Sequence, residues 1–584
     1  MRYLGLIILG CFVTPSVAWA QANTLKVVYP PTNHQTNTEK IFLLGTAPNR
    51  GEVRINNQVI QRSKSGHFAP SFPLNVGENL FTISYDNQQI QIQVNRVDPQ
   101  PEIPPGLAFV QNSLTPQVDI SRLPGEEICL SAIATPNANL KVKLGEQTVN
   151  LSPQTEQVSL PNNSFIYIDK NQPITQVIPG KYQGCTRLGR LTNAEQPEFQ
   201  LTLNGETITQ VSPGKIHTLS PTKLPVVEVI AEAGVARTGP STTDSRLTPL
   251  PKGVRASVTA KEGDWLRLDY GAWIHSQETR RIPGAIPPRS MIRSILSRQL
   301  PTATEIVFPL QVPVPITVEQ GDRTFTLTLH NTTAQTDTIR LDDDPLISRL
   351  DWQQIAPGTV QYTFNLKTDQ QWGYNLEYRN TTLVLTLRHP PAISRKPQPL
   401  SGVEILLNAG HGGEELGAVG PTGDLAKDLN LVVTKLLRDE LRRLGANVEM
   451  TREDDRDLSL VSRQNMIDRK QPAIALTFHY RFLADDGDAE NTKGVSSYWY
   501  HPQAHSLAVL LQNRLVQNLG RSSFGVYWNN LALTRPHSAP SVLLELGFMS
   551  NPDDFDLAMD SQEQRKLAQV LAEGIVQWFN IAGE

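Results

Sequence analysis

The stretch NAGHGGEELGAVGPTGDLAKDLNL, from Asn408 to Leu431, decides the fold of the last third of the chain. It follows the apolar run VEILL and leads into an amphipathic pattern, so it predicts a buried strand, a glycine-rich loop and a helix. Downstream, further strand-like and helical runs alternate. The strand-like runs are VEILLNA, NVEMTRE, AIALTFH, GVSSYWY and SVLLELGF, and the helical runs are AKDLNLVVTKLLRDELRRLG, LSLVSRQNMIDR, QAHSLAVLLQNRLVQNLG and QEQRKLAQVLAEGIVQWFN. This alternation predicts an α/β domain with a largely parallel sheet.

Three polar residues end or interrupt the apolar strands of this domain. His411 follows VEILLNAG, His479 ends AIALTF, and Glu545 lies inside SVLLELGF. We expect them to converge, because ligands in such sheets bind at the carboxyl ends of the strands. Each histidine alone is as consistent with a loop or core residue, but a carboxylate in an apolar strand is costly unless it is paired or bound to metal. Two imidazoles and a carboxylate indicate a zinc hydrolase site, with histidine ligands and a glutamate base.

The domain resembles the zinc-dependent N-acetylmuramoyl-L-alanine amidases of the amidase-3 family. The matching pieces, in the order of the family, are LLNAGHGGEELGAVG, KDLNLVV, NVEMTRE, ALTFH and PSVLLELGFMSNP. The resemblance implies hydrolysis of the amide between the muramic acid lactyl group and the L-alanine of the stem peptide. It implies Zn²⁺ as cofactor, His411 and His479 as metal ligands, and Glu545 as the catalytic residue.

The third metal ligand of the family is missing from the sequence. Ala426 stands where the family has a glutamate, and alanine cannot bind zinc. Asp424 is a possible substitute, and Glu414, Glu415 or a water molecule are alternatives, although for each acid taken alone a solvated surface residue is favoured. Asp428 would point to another side of the helix.

Arginines near the site have several possible roles. Arg481, two residues after His479, would disfavour Zn²⁺ unless it faces outward or binds a substrate carboxylate. Arg452 and Arg535 could contact stem-peptide carboxylates, but surface or ion-pair roles are favoured for both. Some family members block the metal with a helix after the second histidine. Here RFLADDGDAENTK is too short for such a helix, so any restraint has to come from the upstream domains.

Upstream of this domain the chain is predicted to be β-rich and multidomain. With 584 residues it is too long for one hydrophobic core, and its 43 prolines and 38 glycines suit turn-rich structure. Short β-type runs from Thr24 to Val97 predict a β-sandwich. Proline-rich linkers run from Asp98 to Gly106 and from His389 to Gly402. A net charge of −4 gives no argument for nucleic acid as a partner.

The segment from Val229 to His275 resembles a bacterial SH3-like barrel, in which Trp265 and Trp273 either pack the core or contact a ligand. The region from about Glu305 to Arg388 is similar to the wall-targeting AMIN domains. The predicted organisation is a signal peptide (1–22), a β-sandwich-like domain (23–97), a second β-rich domain (98–223), an SH3-like domain (224–282), a β-rich AMIN-like domain (283–396) and an amidase-3 catalytic domain (397–584).

The N-terminus has the pattern of a secretory signal peptide. A basic start precedes the apolar run from Leu4 to Val13, and small residues at Ala18 and Ala20 mark a cleavage site. The run is far short of the ~20 residues of a membrane span, and no later segment reads as transmembrane. We therefore expect an exported protein of the periplasm or cell wall, where Cys129 and Cys185 form a disulfide in preference to two buried thiols.

The leading hypothesis is an exported zinc amidase that cleaves peptidoglycan during wall remodelling or daughter-cell separation. Its β-rich domains would bind the wall, divisome proteins or envelope proteins. The alternative is a degenerate amidase, deficient in a zinc ligand at Ala426, that binds or regulates at the wall. A zinc peptidase acting within the stem peptide is disfavoured, because the motifs indicate the amide next to the sugar.

Overall fold

The computed structural model describes residues 24–97, 105–154, 156–159, 174–189, 191, 193–341, 343–393 and 398–582. The predicted signal peptide, most of the first linker and residues 394–397 of the second linker lie outside the described residues. Among the described residues, no helix combines the length and the apolar character that a membrane span requires.

The first unit, residues 24–97, is built from short strands around one apolar core. Its sheets have the orders β1-β4-β7, β2-β10-β9-β5-β6 and β3-β8. The two long strands β9 and β10 form an antiparallel hairpin in which Tyr85 pairs with Gln88 across a two-residue turn. The strands are β1 (Lys26–Tyr29), β2 (His34–Thr36), β3 (Lys40–Phe42), β4 (Leu44–Thr46), β5 (Val53–Ile55), β6 (Gln58–Val59), β7 (His67–Phe68), β8 (Ser71–Pro73), β9 (Gly77–Tyr85) and β10 (Gln88–Arg96).

The second β-rich region contains a six-stranded sheet of order β12-β17-β14-β13-β18-β19. Cys129 and Cys185 face each other on neighbouring antiparallel strands and form a disulfide, which confirms the predicted bridge. The strands are β11 (Ile120–Arg122), β12 (Glu127–Ile133), β13 (Asn139–Leu144), β14 (Gln147–Pro153), β15 (Glu156–Ser159), β16 (Ile174–Val177), β17 (Lys181–Arg187), β18 (Glu198–Leu203), β19 (Glu206–Val211) and β20 (Ile216–Thr218).

The segment that resembles an SH3-like barrel shares a sheet with the region before it. The sheet has the order β20-β11-β24-β21-β27, and β25 and β26 continue from β24. Trp273 is buried against the guanidinium groups of Arg122 and Arg267, whereas Trp265 is half-buried beside His275. The strands are β21 (Val226–Val229), β22 (Ala233–Gly234), β23 (Leu250–Pro251), β24 (Arg255–Glu262), β25 (Trp265–Leu268), β26 (Trp273–His275) and β27 (Thr279–Arg281).

A further β-rich region consists of two sheets that enclose a common core. Their orders are β32-β28-β29-β36-β35 and β30-β31-β34-β33. In β34 every second residue is buried, as expected for a strand with one face on a core. The strands are β28 (Ser290–Gln299), β29 (Ala303–Phe308), β30 (Ile316–Gln320), β31 (Thr324–His330), β32 (Thr332–Arg340), β33 (Ile347–Ala356), β34 (Thr359–Leu366), β35 (Tyr374–Arg379) and β36 (Thr382–Arg388).

The C-terminal domain has the predicted α/β fold. Its six-stranded sheet has the order β38-β37-β39-β42-β40-β41, and only the pair of β40 with β42 is antiparallel. The strands are β37 (Glu404–Ala409), β38 (Asn447–Met450), β39 (Ile474–Arg481), β40 (Val495–Trp499), β41 (Ser523–Trp528) and β42 (Ser541–Phe548). The helices are α1 (Ala426–Arg443), α2 (Leu460–Lys470), α3 (His505–Leu519), α4 (Pro552–Met559) and α5 (Ser561–Ala582).

Apolar spacing explains how the helices pack on this sheet. In α1, Leu429, Val433, Leu437 and Leu441 recur every four residues and are all buried. Strand β42 is buried along its whole length, as a central strand covered on both faces should be. Strand β41 and helix α4 were not predicted from the sequence. Strand β39 was predicted to end at His479, whereas it continues to Arg481.

The first unit packs directly on the C-terminal domain. The Tyr29 hydroxyl donates a hydrogen bond to Asp485, and His34 Nε2 lies 2.8 Å from the other oxygen of that carboxylate. Lys26 Nζ donates to the carbonyl oxygen of Thr422 at 2.7 Å. A shared apolar cluster lies under these bonds. It contains Phe42, Leu44, Ala69, Leu483, Ala489 and Phe548. The first unit therefore borders the edge of the sheet where His479 and Glu545 lie.

Candidate active site

The structure brings His411, His479 and Glu545 together at one edge of the parallel sheet. His479 and Glu545 are direct register partners on neighbouring strands. His411 lies just beyond β37 in a left-handed conformation with φ 59°. Two glycines make room for the imidazoles. A Cβ at Gly410 would lie 2.4 Å from His479 Nε2, and one at Gly417 would lie 2.5 Å from His411 Cδ2. No other residue fits at either position without displacing a histidine.

The two imidazoles contact each other. His411 Nε2 and His479 Nδ1 are 3.2 Å apart, and the ring planes are inclined by 75°. His411 Nδ1 lies 2.9 Å from Oε1 of Glu415 on the same loop. Burial lowers the pKa of His479 well below its usual value, and the neighbouring His411 and arginines lower it further. His479 is therefore neutral and has a ring nitrogen to offer as a ligand or acceptor.

Glu545 is the buried acid of the site. Glu545 is only 8% exposed, and its Oε1 lies 3.5 Å from Nη1 of Arg481. Its other oxygen, Oε2, is buried and has no hydrogen-bond partner among the described residues. Burial raises the pKa of Glu545 to about 7, and Arg481 opposes that rise. A carboxylate so placed can exchange a proton with a bound group near neutral pH.

The position of the third family ligand holds no acid. Ala426 is the first residue of α1 and is fully buried, and its N–H donates to the carbonyl of Ala418 at 2.8 Å. The Asp424 carboxylate accepts a hydrogen bond from the Thr422 hydroxyl. That bond alone would not exclude Asp424 as a ligand, but among the described residues Asp424 forms no three-ligand group with His411 and His479. Glu415 is the acid beside the histidines, but its carboxylate contacts Nδ1 of His411, whereas Nε2 of that ring contacts His479.

These donors do not complete a zinc site. Within the described ranges, the only group of three ligating side chains close enough to share an ion is Glu127 with Cys129 and Cys185, whose two sulfurs form the disulfide. His411 and His479 offer two ligands, and the guanidinium of Arg481 places positive charge in the same cleft. The residues present therefore fit a three-ligand zinc centre poorly.

Two buried arginines hold the loop that carries His411. Arg452 donates to the backbone oxygens of Ala409, Gly410 and Lys427. Arg463 donates to the oxygens of Ala409 at 2.7 Å and His411 at 2.7 Å. Arg452 is buried and donates to backbone carbonyls. It therefore has neither the substrate contact nor the surface or ion-pair role that the sequence suggested. Arg463 was missed, because a single arginine in an amphipathic helix gives no signal of burial.

His411, His479 and Glu545 line a cavity of about 500 Å³, which we call the cleft. One of its walls comes from the first unit, through Val28 and Tyr29 of β1. The remaining lining residues are Gly417, Ala418, Val419, Tyr480, Arg481 and Phe482. Arg535 lies elsewhere and lines a different cavity.

Comparison with known proteins gives a family match for the C-terminal domain. Residues 405–577 match the Amidase_3 family, described as N-acetylmuramoyl-L-alanine amidase. The chain is 32% identical over 196 residues to the probable cell wall amidase LytH of Staphylococcus epidermidis, covering 33% of this chain and 64% of the relative. It is 34% identical over 189 residues to LytH of Staphylococcus aureus, covering 32% and 62%. The match thus spans less than two thirds of each relative.

Two solved structures are also similar to the C-terminal part of the chain. The N-acetylmuramoyl-L-alanine amidase of Clostridium difficile 630 is 23% identical, with a TM-score of 0.29, covering 30% of this chain and 97% of that one. AmiC2 of Nostoc punctiforme, also an N-acetylmuramoyl-L-alanine amidase, is 26% identical, with a TM-score of 0.29, covering 31% and 99%. By the family match, residues 405–577 of this chain form an amidase-3 domain.

Proposed function

We propose that the C-terminal domain hydrolyses the amide between N-acetylmuramic acid and the L-alanine of the stem peptide in peptidoglycan. The observation that carries the proposal is the buried carboxylate of Glu545, which lines the same open cleft as the imidazoles of His411 and His479 in an amidase-3 domain. The relatives named as cell wall amidases support the same substrate class.

In this proposal Glu545 moves the proton of the reaction. Its carboxylate takes a proton from water as the water oxygen bonds to the amide carbon, and it returns that proton to the nitrogen as the C–N bond breaks. The products are a lactyl carboxylic acid on the sugar and a peptide with a free amino terminus. The guanidinium of Arg481, 3.5 Å from Glu545, is the nearby positive charge that can stabilise the developing negative oxygen.

The metal of the family would supply Lewis-acid activation of the carbonyl and of water. His411 and His479 are the residues that would hold it, but the described acids do not complete its ligand set. We therefore derive no step through a metal.

The residues at positions 426 and 481 favour a second candidate function. Ala426 removes the family carboxylate, and Arg481 pairs with the proposed base. Both features suit a degenerate amidase that binds wall material and positions or regulates other hydrolases. We further propose that the protein is exported to the periplasm or cell wall, and that its β-rich units bind the wall or envelope proteins.

Digestion of purified peptidoglycan by the full chain separates these functions. Free stem peptides that begin with L-alanine are the expected product. Shortened peptides would instead mean a peptidase. If the folded protein binds the wall but releases nothing, the amidase proposal fails and the binding function stands.

A further inference from the structure

A second cavity, of about 350 Å³, lies where three parts of the chain meet, and we call it the junction cavity. The segment that resembles an SH3-like barrel contributes Arg246, the sheets β28–β36 contribute Tyr374, and the C-terminal domain contributes Tyr500, Trp528 and Arg535. Its volume falls within the range of small-molecule sites, about 300–1,000 Å³.

The junction cavity lies at the opposite edge of the sheet from Glu545. Arg535 precedes β42, whereas Glu545 lies near the carboxyl end of that strand. Strand β40 is antiparallel to β42, so Tyr500, just after β40, also comes to the amino end of β42. Strand β41 runs parallel to β40 and brings its last residue, Trp528, to the same edge. The junction cavity is therefore separate from the cleft.

Positive charge collects in the junction cavity. Among the described residues, neither Arg246 nor Arg535 has a carboxylate within ion-pair distance. Burial lowers the pKa of Arg535 to about 10, and nearby Arg246 contributes to the decrease. Burial and Arg237 likewise lower the pKa of Arg246, and the carboxylate of Glu278, beyond ion-pair distance, opposes that decrease. Two partly buried cations without a direct ion-pair partner are costly, and a bound anion would relieve that cost.

Hydrogen bonds to Asn530 fix the orientation of the Arg535 guanidinium. Its Nε donates to Oδ1 of Asn530 at 2.6 Å, and Nη2 donates to the Asn530 carbonyl at 3.1 Å. The one acid among the described lining residues, Asp468, accepts a hydrogen bond from the Ser538 hydroxyl at 2.7 Å. The neutral groups thus fix the cation without neutralising it.

A flat aromatic surface stands beside these cations. Trp528 is 62% exposed. Its ring stacks on that of Tyr500, with 5.4 Å between the ring centroids. The indole N–H donates to the Tyr500 carbonyl at 2.9 Å, which fixes the ring. An exposed, fixed indole is suited to stack on the apolar face of a sugar ring, while guanidinium groups are suited to a carboxylate.

We propose that the junction cavity binds a carboxylate-bearing glycan, with a sugar ring on Trp528 and the carboxylate on Arg246 and Arg535. The choice of glycan rests on the proposed function, because hydrolysis of the amide leaves a free lactyl carboxylate on each muramic acid. The site would thus hold strands from which the peptides have already been removed, and would keep the C-terminal domain on the product.

The test uses the full chain and glycan strands freed of peptides beforehand by a separate amidase, so it needs no activity from this protein. Calorimetry should show binding of these strands, and at least 10-fold weaker binding of the same strands after their lactyl carboxylates are converted to amides. Arg246→Gln and Arg535→Gln should each weaken binding about 10-fold or more, as expected for a charge-assisted hydrogen bond. Arg281→Gln, an equal charge change at an exposed position of β27, should leave binding unchanged.

A second pair of variants tests the aromatic surface. Trp528→Ala should weaken binding, whereas Trp352→Ala, which removes an indole from β33, should not. Equal binding of the acid and amide strands, or wild-type binding by both arginine variants with unchanged unfolding midpoints, would overturn the proposal. So would preference for free stem peptides over glycan. Binding without release of peptides from intact peptidoglycan would refute the amidase function alone.

Discussion

The imidazoles of His411 and His479 lie 3.2 Å apart, Nε2 to Nδ1, although 68 residues separate them in the sequence. The two nitrogens therefore lie within hydrogen-bond distance of each other. The contact depends on Gly410 and Gly417, whose missing side chains leave space for the two rings. The fold therefore positions the two histidines, whereas among the described residues it places no third metal ligand beside them.

Restoring a carboxylate at position 426 should complete the metal site. In Ala426→Glu we expect zinc to rise from well below one ion per chain to about one. Amidase activity should rise by about 10–100-fold or more, since losing even an outer-shell partner of a metal typically costs this much. Elemental analysis of the purified chain measures the first change, and stem-peptide release measures the second.

The control for this variant places the same acid elsewhere in the cleft. Ala418→Glu adds a carboxylate to the lining without occupying the family position, and it should gain no zinc. A chelator should lower the unfolding midpoint of Ala426→Glu, because the buried glutamate then loses its partner. Stoichiometric zinc in the unaltered chain would contradict the expectation.

Local patterns in the sequence were sufficient to predict most strands and helices of the C-terminal domain. Apolar runs predicted β37, β39 and β42, and apolar spacing predicted α1 and α5. Helix α4 carries signals that could have revealed it, since Asn551 caps it and Pro552 is its first residue. Strand β41 was harder, because SFGVYW is a half-exposed edge strand without clear alternation.

Long-range contacts could not be predicted. The convergence of His411, His479 and Glu545 followed from strand ends, but the contact of Tyr29 with Asp485 joins residues 456 positions apart. No local pattern indicates that the first unit forms a wall of the cleft. The loop geometry that turns Glu415 toward Nδ1 of His411 was equally hidden, since it depends on backbone conformation rather than residue type.

Removing the charge of Glu545 should abolish hydrolysis. In Glu545→Gln the amide cannot accept the proton of water, and general base catalysis typically contributes about 10²–10⁴-fold. We expect stem-peptide release to fall by that factor while wall binding persists. Glu573→Gln, on the exposed side of α5, is the matched control and should keep full activity. Unchanged release by the Glu545 variant would exclude Glu545 as the base.

The contact between the first unit and the C-terminal domain should be measurable by hydrogen exchange. Tyr29→Phe removes the hydrogen bond to Asp485 but keeps the ring between Phe42 and Phe482. Loss of one such bond costs about 1 kcal/mol, or about fivefold in a local opening equilibrium. Amides of residues 483–489 should therefore exchange about fivefold faster.

Tyr85→Phe provides the comparison for this experiment. The Tyr85 hydroxyl donates to the Arg50 carbonyl within the first unit, so its loss should not change exchange in residues 483–489. If Tyr29→Phe also left these amides as protected as in the unaltered chain, the hydroxyl bond would not hold the wall of the cleft in place.

Acid should destabilise the fold through His330. This residue ends β31 with its ring 4.8 Å from that of Tyr270, and burial lowers the pKa of His330 from 6.5 to about 4. The unfolded chain binds a proton below pH 6.5, whereas the folded chain resists it until about pH 4. The stability that the neutral imidazole contributes is thus present above pH 6.5 and is lost as pH falls toward 4.

Between pH 7 and 5 we expect this residue to account for a loss of about 2 kcal/mol in the free energy of unfolding. Urea unfolding at both pH values measures the loss. His330→Gln removes the titrating group, so its stability should depend less on pH over this interval. His505→Gln, at an exposed position, should follow the unaltered chain. An unchanged pH dependence in His330→Gln would show that other groups carry the acid sensitivity, because only His330 loses its titration in that variant.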